Sequence, residues 1–305
     1  IAWTQRKAPI KYGKIDASQI AMKTYDADTT AEAVVLCNFG IISVERVGDT
    51  RKYRFKHHKR IKILKESGFH YGKIEVPYVH YQGRERLSFI KAQVFSLSGQ
   101  IHELSKKDLF FDKVNEYWTL AKAALPNIEI GSLIEFRYEI VSENITELRE
   151  WQFQEEIPTI YSELHVSYPD FFAYNYLFQG GEYMKRMDDG DVIILKGDNG
   201  TIKLGDGWFI MENAVAMKDP ERFITTMDDY VAKIRFQLNT YYNTSHLSTW
   251  EKLAEELHYN SSFGEQYTKK RNYKKLLEAV LPLVPNGVTQ KKKAEFLNKD
   301  FSINN

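Results

Sequence analysis

Asn199-Gly200 and Asp189-Gly190 are turn signals in a chain made largely of short strand-like runs. Asn-Gly favours a tight two-residue hairpin because both residues accept positive φ, and Asp-Gly reads similarly. Together they predict a meander of three short strands between residues 182 and 204. Upstream, 31–36 (AEAVVL) reads as a buried strand followed by Gly40, and 41–47 as a strand that can pair with the next run. In 53–65 (YRFKHHKRIKILK), Ile61 and Ile63 face one way and Arg60, Lys62 and Leu64 the other. That alternation predicts a strand with one wet face. Further strand-like runs occupy 72–79, 87–96, 133–141, 151–157, 160–167, 172–178, 183–187, 191–196, 201–204 and 230–240, with a turn at Ser98-Gly99. Many short strands between turns predict a mainly β, antiparallel β-sandwich, with a barrel as the alternative. The abundance of Tyr (19) and Phe (18) fits, since flat rings pack well on a pleated, half-buried surface.

The pattern changes near residue 245. Ser248 and Glu251 form a capping-box pair, and Trp250, Leu253, Ala254 and Leu257 follow at helical spacing. A second helix is expected over 266–281, with Leu276, Leu277, Val280 and Leu281 as its apolar stripe and Pro282 and Pro285 ending it. A third is expected over 289–299, with Ala294, Phe296 and Leu297. Helices after a long run of strands predict a second domain. The boundary falls within 241–245, giving a β-sandwich over 1–242 and a helical segment over 243–305.

Charge and cysteine content narrow the function. Lys and Arg (42) nearly balance Asp and Glu (41), a net of +1, which argues against bulk electrostatic binding to nucleic acid or an anionic membrane. Cys37 is the one cysteine, so an intrachain disulfide and a cysteine-only zinc site are excluded. No run approaches the roughly 18 apolar residues of a membrane span. Residues 1–11 lack the pattern of a signal peptide, so this stretch reads as cytosolic or as a trimmed segment of an exported chain.

Each candidate constellation has a simpler structural explanation. Cys37 closes the apolar run AVVLC, whereas a reactive thiolate needs a positive, partly exposed setting; a small core residue is the simpler reading. His57 and His58 are neighbours on a strand and point to opposite faces, so they cannot readily share an ion. His70, His80 and His102 are scattered, and no metal-site spacing occurs. Asp188, Asp189 and Asp191 flank Gly190, but a hairpin turn explains them without calcium. Lys56, His58, Lys59, Arg60, Lys62 and Lys65 read as a solvated sheet face or a lysine-guarded edge. Lys269, Lys270, Arg271, Lys274 and Lys275 read as the wet face of a helix. Trp151 and Phe153 read as core, with Gln152 and Gln154 opposite; exposed, such a set would suit a sugar platform. Asn144, Asn199, Asn243 and Asn260 begin glycosylation-type triplets, which matter only in a eukaryotic secretory setting.

Several stretches resemble a known family: 25–40 (YDADTTAEAVVLCNFG), 60–68 (RIKILKESG), 126–138 (PNIEIGSLIEFRY), 151–158 (WQFQEEIP) and 213–236 (NAVAMKDPERFITTMDDYVAKIRF). Their order and spacing, over about residues 3–240, resemble the uncharacterised domain that precedes transglutaminase-like domains in exported proteins of Gram-negative bacteria. The resemblance implies a papain-like Cys-His-Asp core downstream in cis, with 243–305 as its opening. No cysteine follows position 37, so no catalytic residue carries over, and Asp28, Gly131 and Pro158 read as structural. Covalent acyl transfer needs a nucleophile beside a base, and a strand-embedded thiol does not supply one. The expectation is therefore a noncatalytic scaffold or recognition module, periplasmic or at the cell surface, with a peptide or glycan as ligand. It has no cofactor, nucleic-acid partner or membrane span, and no catalytic, cofactor, metal or binding residue is assigned. The alternatives are a carbohydrate- or cell-surface-binding sandwich, and an enzyme whose His and Asp/Glu meet from distant positions.

Overall fold

In a computed structural model, the described residues are 8–47, 50–179, 186–189, 193–197, 200–217, 229–242, 244–245 and 250–259. The chain divides into two compact units, Ile1–Leu247 and Ser248–Asn305.

The first unit is mainly β. Its strands are β1 (Ala33–Val47), β2 (Thr50–Ile63), β3 (Lys73–Val79), β4 (Glu85–Phe95), β5 (Ile101–Glu103), β6 (Leu109–Lys113), β7 (Trp118–Ala124) and β8 (Leu133–Ser142). Then follow β9 (Glu147–Gln152), β10 (Thr159–Pro169), β11 (Phe172–Gln179), β12 (Arg186–Asp189), β13 (Ile193–Gly197), β14 (Gly200–Ala214), β15 (Lys233–Tyr241) and β16 (Thr244–Ser245). A large sheet runs β12-β14-β10-β1-β2-β8-β4-β5, with β13 also on β14; smaller sheets run β11-β15-β16, with β9 on β15, and β3-β7-β6. One apolar cluster joins all three: Ile42, Phe55, Ile63 and Ile134 of the large sheet share it with Val76 and Ala121 of the β3-β7-β6 sheet and with Trp151, Tyr174 and Phe236 of the β9, β11 and β15 strands. This is the expected β-sandwich, with alternate residues of facing sheets filling a shared core.

Four details depart from the sequence reading. The two runs at 31–36 and 41–47 are one strand, β1, which carries a bulge between Val35 and Cys37. β1 pairs antiparallel with β2 but parallel with β10, so the sheet is not wholly antiparallel. β12 and β13 each pair with the long β14, with Gly197 opposite Gly200, so the expected meander becomes two short strands sharing one partner. The run expected over 151–157 is a strand only to Gln152; beyond it the Phe153 N–H donates to Ala232 O at 2.8 Å. β5, β6 and β7 went unread. The buried side of β7 is Thr119, Ala121 and Ala123, and alanine carries little strand signal.

The larger correction concerns the basic run on β2. Arg60 and Lys62 are 1% and 0% exposed, not on a wet face. β2 is a central strand between β1 and β8, and the outer face of the sheet is covered by residues 8–25, which include α1 (Ala17–Ala21). Arg60 donates to Lys11 O (3.2 Å), Lys14 O (2.8 Å) and Gln19 Oε1 (2.7 Å), and it pairs with Glu135 at 2.6 Å. Lys62 donates to Ile20 O (2.8 Å) and Gly131 O (2.5 Å), and burial pushes its pKa down to about 8. Glu135 also meets His58 at 2.9 Å, while its second oxygen accepts from Gly13 N–H and Gln93, both at 2.8 Å. These charges pin the covering segment through its backbone carbonyls. Buried charge is tolerated when hydrogen bonds satisfy most of it; in Arg60 both terminal nitrogens are bonded, and Nε has no partner among the described residues.

Three residues expected to be structural are so placed. Asp28 Oδ1 accepts from the Thr30 N–H at 3.0 Å, closing the turn into β1. Gly131 takes φ +89 just before β8, a conformation that favours glycine. Pro158 immediately precedes β10, and its carbonyl accepts from Val35 N–H at 2.9 Å.

In the second unit, α2 (Trp250–Tyr259) forms where the capping box and apolar spacing predicted a helix. The helices expected over 266–281 and 289–299 lie outside the described residues. Among the described residues, no helix is long and apolar enough to cross a membrane.

Candidate functional site

The inner face of the large sheet opens into a cleft of about 360 Å³ beside β9. Its floor comes from Asn38 on β1, Phe55 and His57 on β2, Tyr138 on β8 and Trp151 on β9; Arg149, Gln152, Glu155 and Glu156 form much of the rim. Gly40 makes this arrangement possible. A Cβ there would lie 2.4 Å from the Trp151 ring, so only glycine lets the indole lie against the strand. The indole N–H donates to Ser162 Oγ at 3.1 Å, which fixes the ring.

His57 is enclosed by rings. Its imidazole stands edge-on to Tyr138, Trp151 and Phe136 at centroid distances of 5.0, 5.2 and 5.8 Å. Burial first, then the positive charges of Lys59, His58 and Arg149, hold its pKa well below the ordinary value, so the ring is neutral at pH 7. His57 Nε2 lies 2.6 Å from Asn38 Oδ1. The Asn38 amide nitrogen in turn faces Gln152 O and Glu155 Oε1, both at 3.4 Å. An amide oxygen only accepts, so Nε2 carries the proton and Nδ1 keeps its lone pair. No hydrogen bond reaches Nδ1 among the described residues.

The rim is a mixture of paired charges. Lys59 pairs with Glu155, and Arg235 with Glu150. Arg149 packs over Phe55 at 5.6 Å and bonds Pro77 O. His57 Nδ1 is itself buried from solvent, so the cleft offers a ligand aromatic walls and charged groups at its mouth, features common in small-ligand sites.

Cys37 is elsewhere. It packs with Phe39 and Ile41 on the outer face of β1, 2% exposed, while Asn38 beside it faces the cleft. Burial pushes its thiol up to about 12. Native protein is therefore expected to resist a thiol reagent such as dithionitrobenzoate and to react fully once unfolded in urea. Rapid labelling before unfolding would contradict the packing.

The remaining sequence candidates scatter. His57 and His58 do point to opposite faces: His57 into the cleft, His58 to Glu135. His70 contacts Ser67 O, His80 contacts Thr119 and His102 contacts Asn127. Asp188 and Asp189 lie in β12 opposite Trp208 and Gly207, and Asp191 lies outside the described residues. Among the described residues no three His, Cys, Asp or Glu side chains gather as a metal set. Trp151 and Phe153 are buried as expected, but so is Gln154, which accepts from Ala232 N–H and donates to Val215 O. The pairing of His57 with Asn38 was not read from the sequence. The one available signal was Gly40 inside an apolar strand, a mark of close approach.

Residues 49–194 match the DUF3857 family model. DUF3857 is a domain of unknown function. Of the residues that line the cleft, all but Asn38 lie within the matched region. Among solved structures, a "putative protease" from Parabacteroides distasonis shares the fold, with a TM-score of 0.55 and 11% identity. The match covers 88% of this chain and 50% of that one, so the chain spans half the length of that protein. Comparison with curated proteins gives no match.

Proposed function

We propose that this chain is a noncatalytic scaffold and recognition module that accompanies a transglutaminase-like, papain-type core in a longer exported protein, and that its His57 cleft receives the ligand. The observation that carries this reading is the likeness of nearly the whole chain to one half of a longer "putative protease". The placement of the thiol supports it. Acyl transfer needs a nucleophile in contact with a base, and Cys37 and His57 sit on opposite faces of the sheet. The cleft supports the recognition role, with an extended peptide as its ligand. The segment after Leu247 is the opening of the core, and the parent protein resides in the periplasm or at the cell surface.

The test joins binding and activity. The 305-residue chain is expected to hydrolyse no peptide from a fluorogenic library, while peptides shift the NMR signals of the His57 ring and Trp151 indole. Peptide hydrolysis by the chain that disappears in Cys37→Ala would overturn the noncatalytic reading. Failure of every peptide to move those signals would remove the cleft from it. Glycan binding is the second reading, favoured by the exposed rings of Tyr81, Tyr117 and Trp118, with Tyr81 and Tyr117 at 5.1 Å. Signal on a glycan array that is lost on replacing Trp118 would select it.

A further inference from the structure

We propose that β6 is a dimerisation edge, pairing antiparallel with β6 of a second copy of this chain about a two-fold axis through Phe111. β6 ends the order β3-β7-β6, and among the described residues no strand pairs with its outer side. Phe110 and Phe111 are neighbours, so they point to opposite faces, yet they are 64% and 57% exposed. A strand open at its edge and apolar on both faces is what natural edges are built to avoid unless something covers them.

The hydrogen-bond phase of β6 selects its partner. Val114 N–H donates to Trp118 O at 2.9 Å, and the ladder runs from Leu109↔Ala123 to Lys113↔Thr119. Antiparallel bonding alternates. Phe110 and Asp112 therefore bond inward to β7, while the main-chain groups of Leu109, Phe111 and Lys113 point outward. A two-fold axis normal to the sheet can pass through a hydrogen-bonded pair, at Leu109, Phe111 or Lys113, or through a non-hydrogen-bonded pair, at Phe110 or Asp112. An axis at Asp112 sets aspartate against aspartate. An axis at Phe110 runs into the 3-10 turn and sets Asp108 against the partner's Asp112. An axis at Lys113 sets lysine against lysine. An axis at Leu109 runs the strand against the 3-10 turn Lys106–Asp108. The axis at Phe111 pairs all of β6. It sets Leu109 against the partner's Lys113, Phe110 against the partner's Asp112, and Phe111 against the partner's Phe111. No like charges meet, and the central contact is a cross-strand aromatic pair. This self-complementarity favours a second copy over an unrelated peptide.

Two variants test the edge. Phe111→Pro removes an outward donor, and the β6–β7 bonds persist because that N–H does not serve them. Phe111→Cys places two thiols across the axis, where α-carbons about 5.5 Å apart fall within disulfide range. The unaltered chain is expected to sediment as a monomer–dimer equilibrium with a dissociation constant of order 10–100 µM, as suits a small interface. Phe111→Pro should sediment as monomer at the same concentration with an unchanged circular-dichroism melt. Phe111→Cys should give a disulfide-linked dimer under mild oxidation, and Val114→Cys should not. A chain that stays monomeric at about 1 mM would overturn the proposal. So would a dimer that survives Phe111→Pro without cross-linking through Phe111→Cys, or a monomer whose edge takes up an extended peptide instead.

Discussion

Glu135→Ala is expected to cost roughly 3–5 kcal/mol, the usual result of removing one partner of a buried ion pair. Glu135 is fully buried and receives Arg60, His58, Gln93 and the Gly13 N–H. Its loss leaves the Arg60 guanidinium in the interior without a counter-charge and releases residues 8–25 from the outer face. Total stabilities of about 5–15 kcal/mol are typical, so the variant should unfold at far lower urea and lose its covering segment to limited proteolysis. A loss below about 1 kcal/mol, the scale of an exposed pair, would show that the network is solvated. Glu135→Gln should recover part of the loss, because the amide can still accept hydrogen bonds but carries no charge.

The same carboxylate gives stability a pH dependence of definite sign. Burial alone would raise its pKa, but bonds from His58, Gly13 and Arg60, with the Arg60 charge, outweigh burial and hold it below the ordinary value. The unfolded chain then binds its proton more readily. The contribution is complete above the unfolded value of about 4.3 and disappears as pH falls through the lower folded value. His57 acts in the same direction at higher pH. Its folded pKa is depressed, chiefly by burial, so stability begins to fall below the unfolded value of about 6.5. Acid unfolding should therefore begin near pH 6 and steepen below about pH 4. His57→Gln should flatten the first phase only.

Trp151→Ala should cost about 3–5 kcal/mol, as large aromatic truncations in a core do. The indole is 3% exposed, packs edge-on to Phe55 and His57 and bonds Ser162. Gly40→Ala should cost about 1–3 kcal/mol by overpacking, because its Cβ would fall 2.4 Å from that ring. The two changes are coupled through one contact. In the Trp151→Ala background, Gly40→Ala should cost much less, and a double-mutant cycle on urea midpoints would measure the difference. Additive losses would mean that the glycine serves its own backbone rather than the tryptophan. The emptied site should also erase any ligand-induced shift of the His57 ring.

Much of the fold was legible because local pattern and burial agreed. The alternation in 133–141 and 160–167, and the apolar run before Gly40, mark strands whatever their neighbours, since side chains alternate across any strand. Pro158 and Gly131 mark breaks for equally local reasons. β7 was illegible because alanines bury without advertising a strand. The cleft was illegible because Asn38, His57, Tyr138 and Trp151 meet only through strand order.

By itself the sequence determined a mainly β chain with a helical element after about residue 245, and a cysteine in an apolar strand. Only the tertiary structure decided what the charges on β2 do. Arg60 and Lys62 alternate as a solvated face would, and alternation tells which residues share a side but not whether that side meets water. That depends on the covering segment contributed from residues 8–25, a contact between parts of the chain distant in sequence, and on Glu135 arriving from β8 to satisfy charge that would otherwise keep the face open.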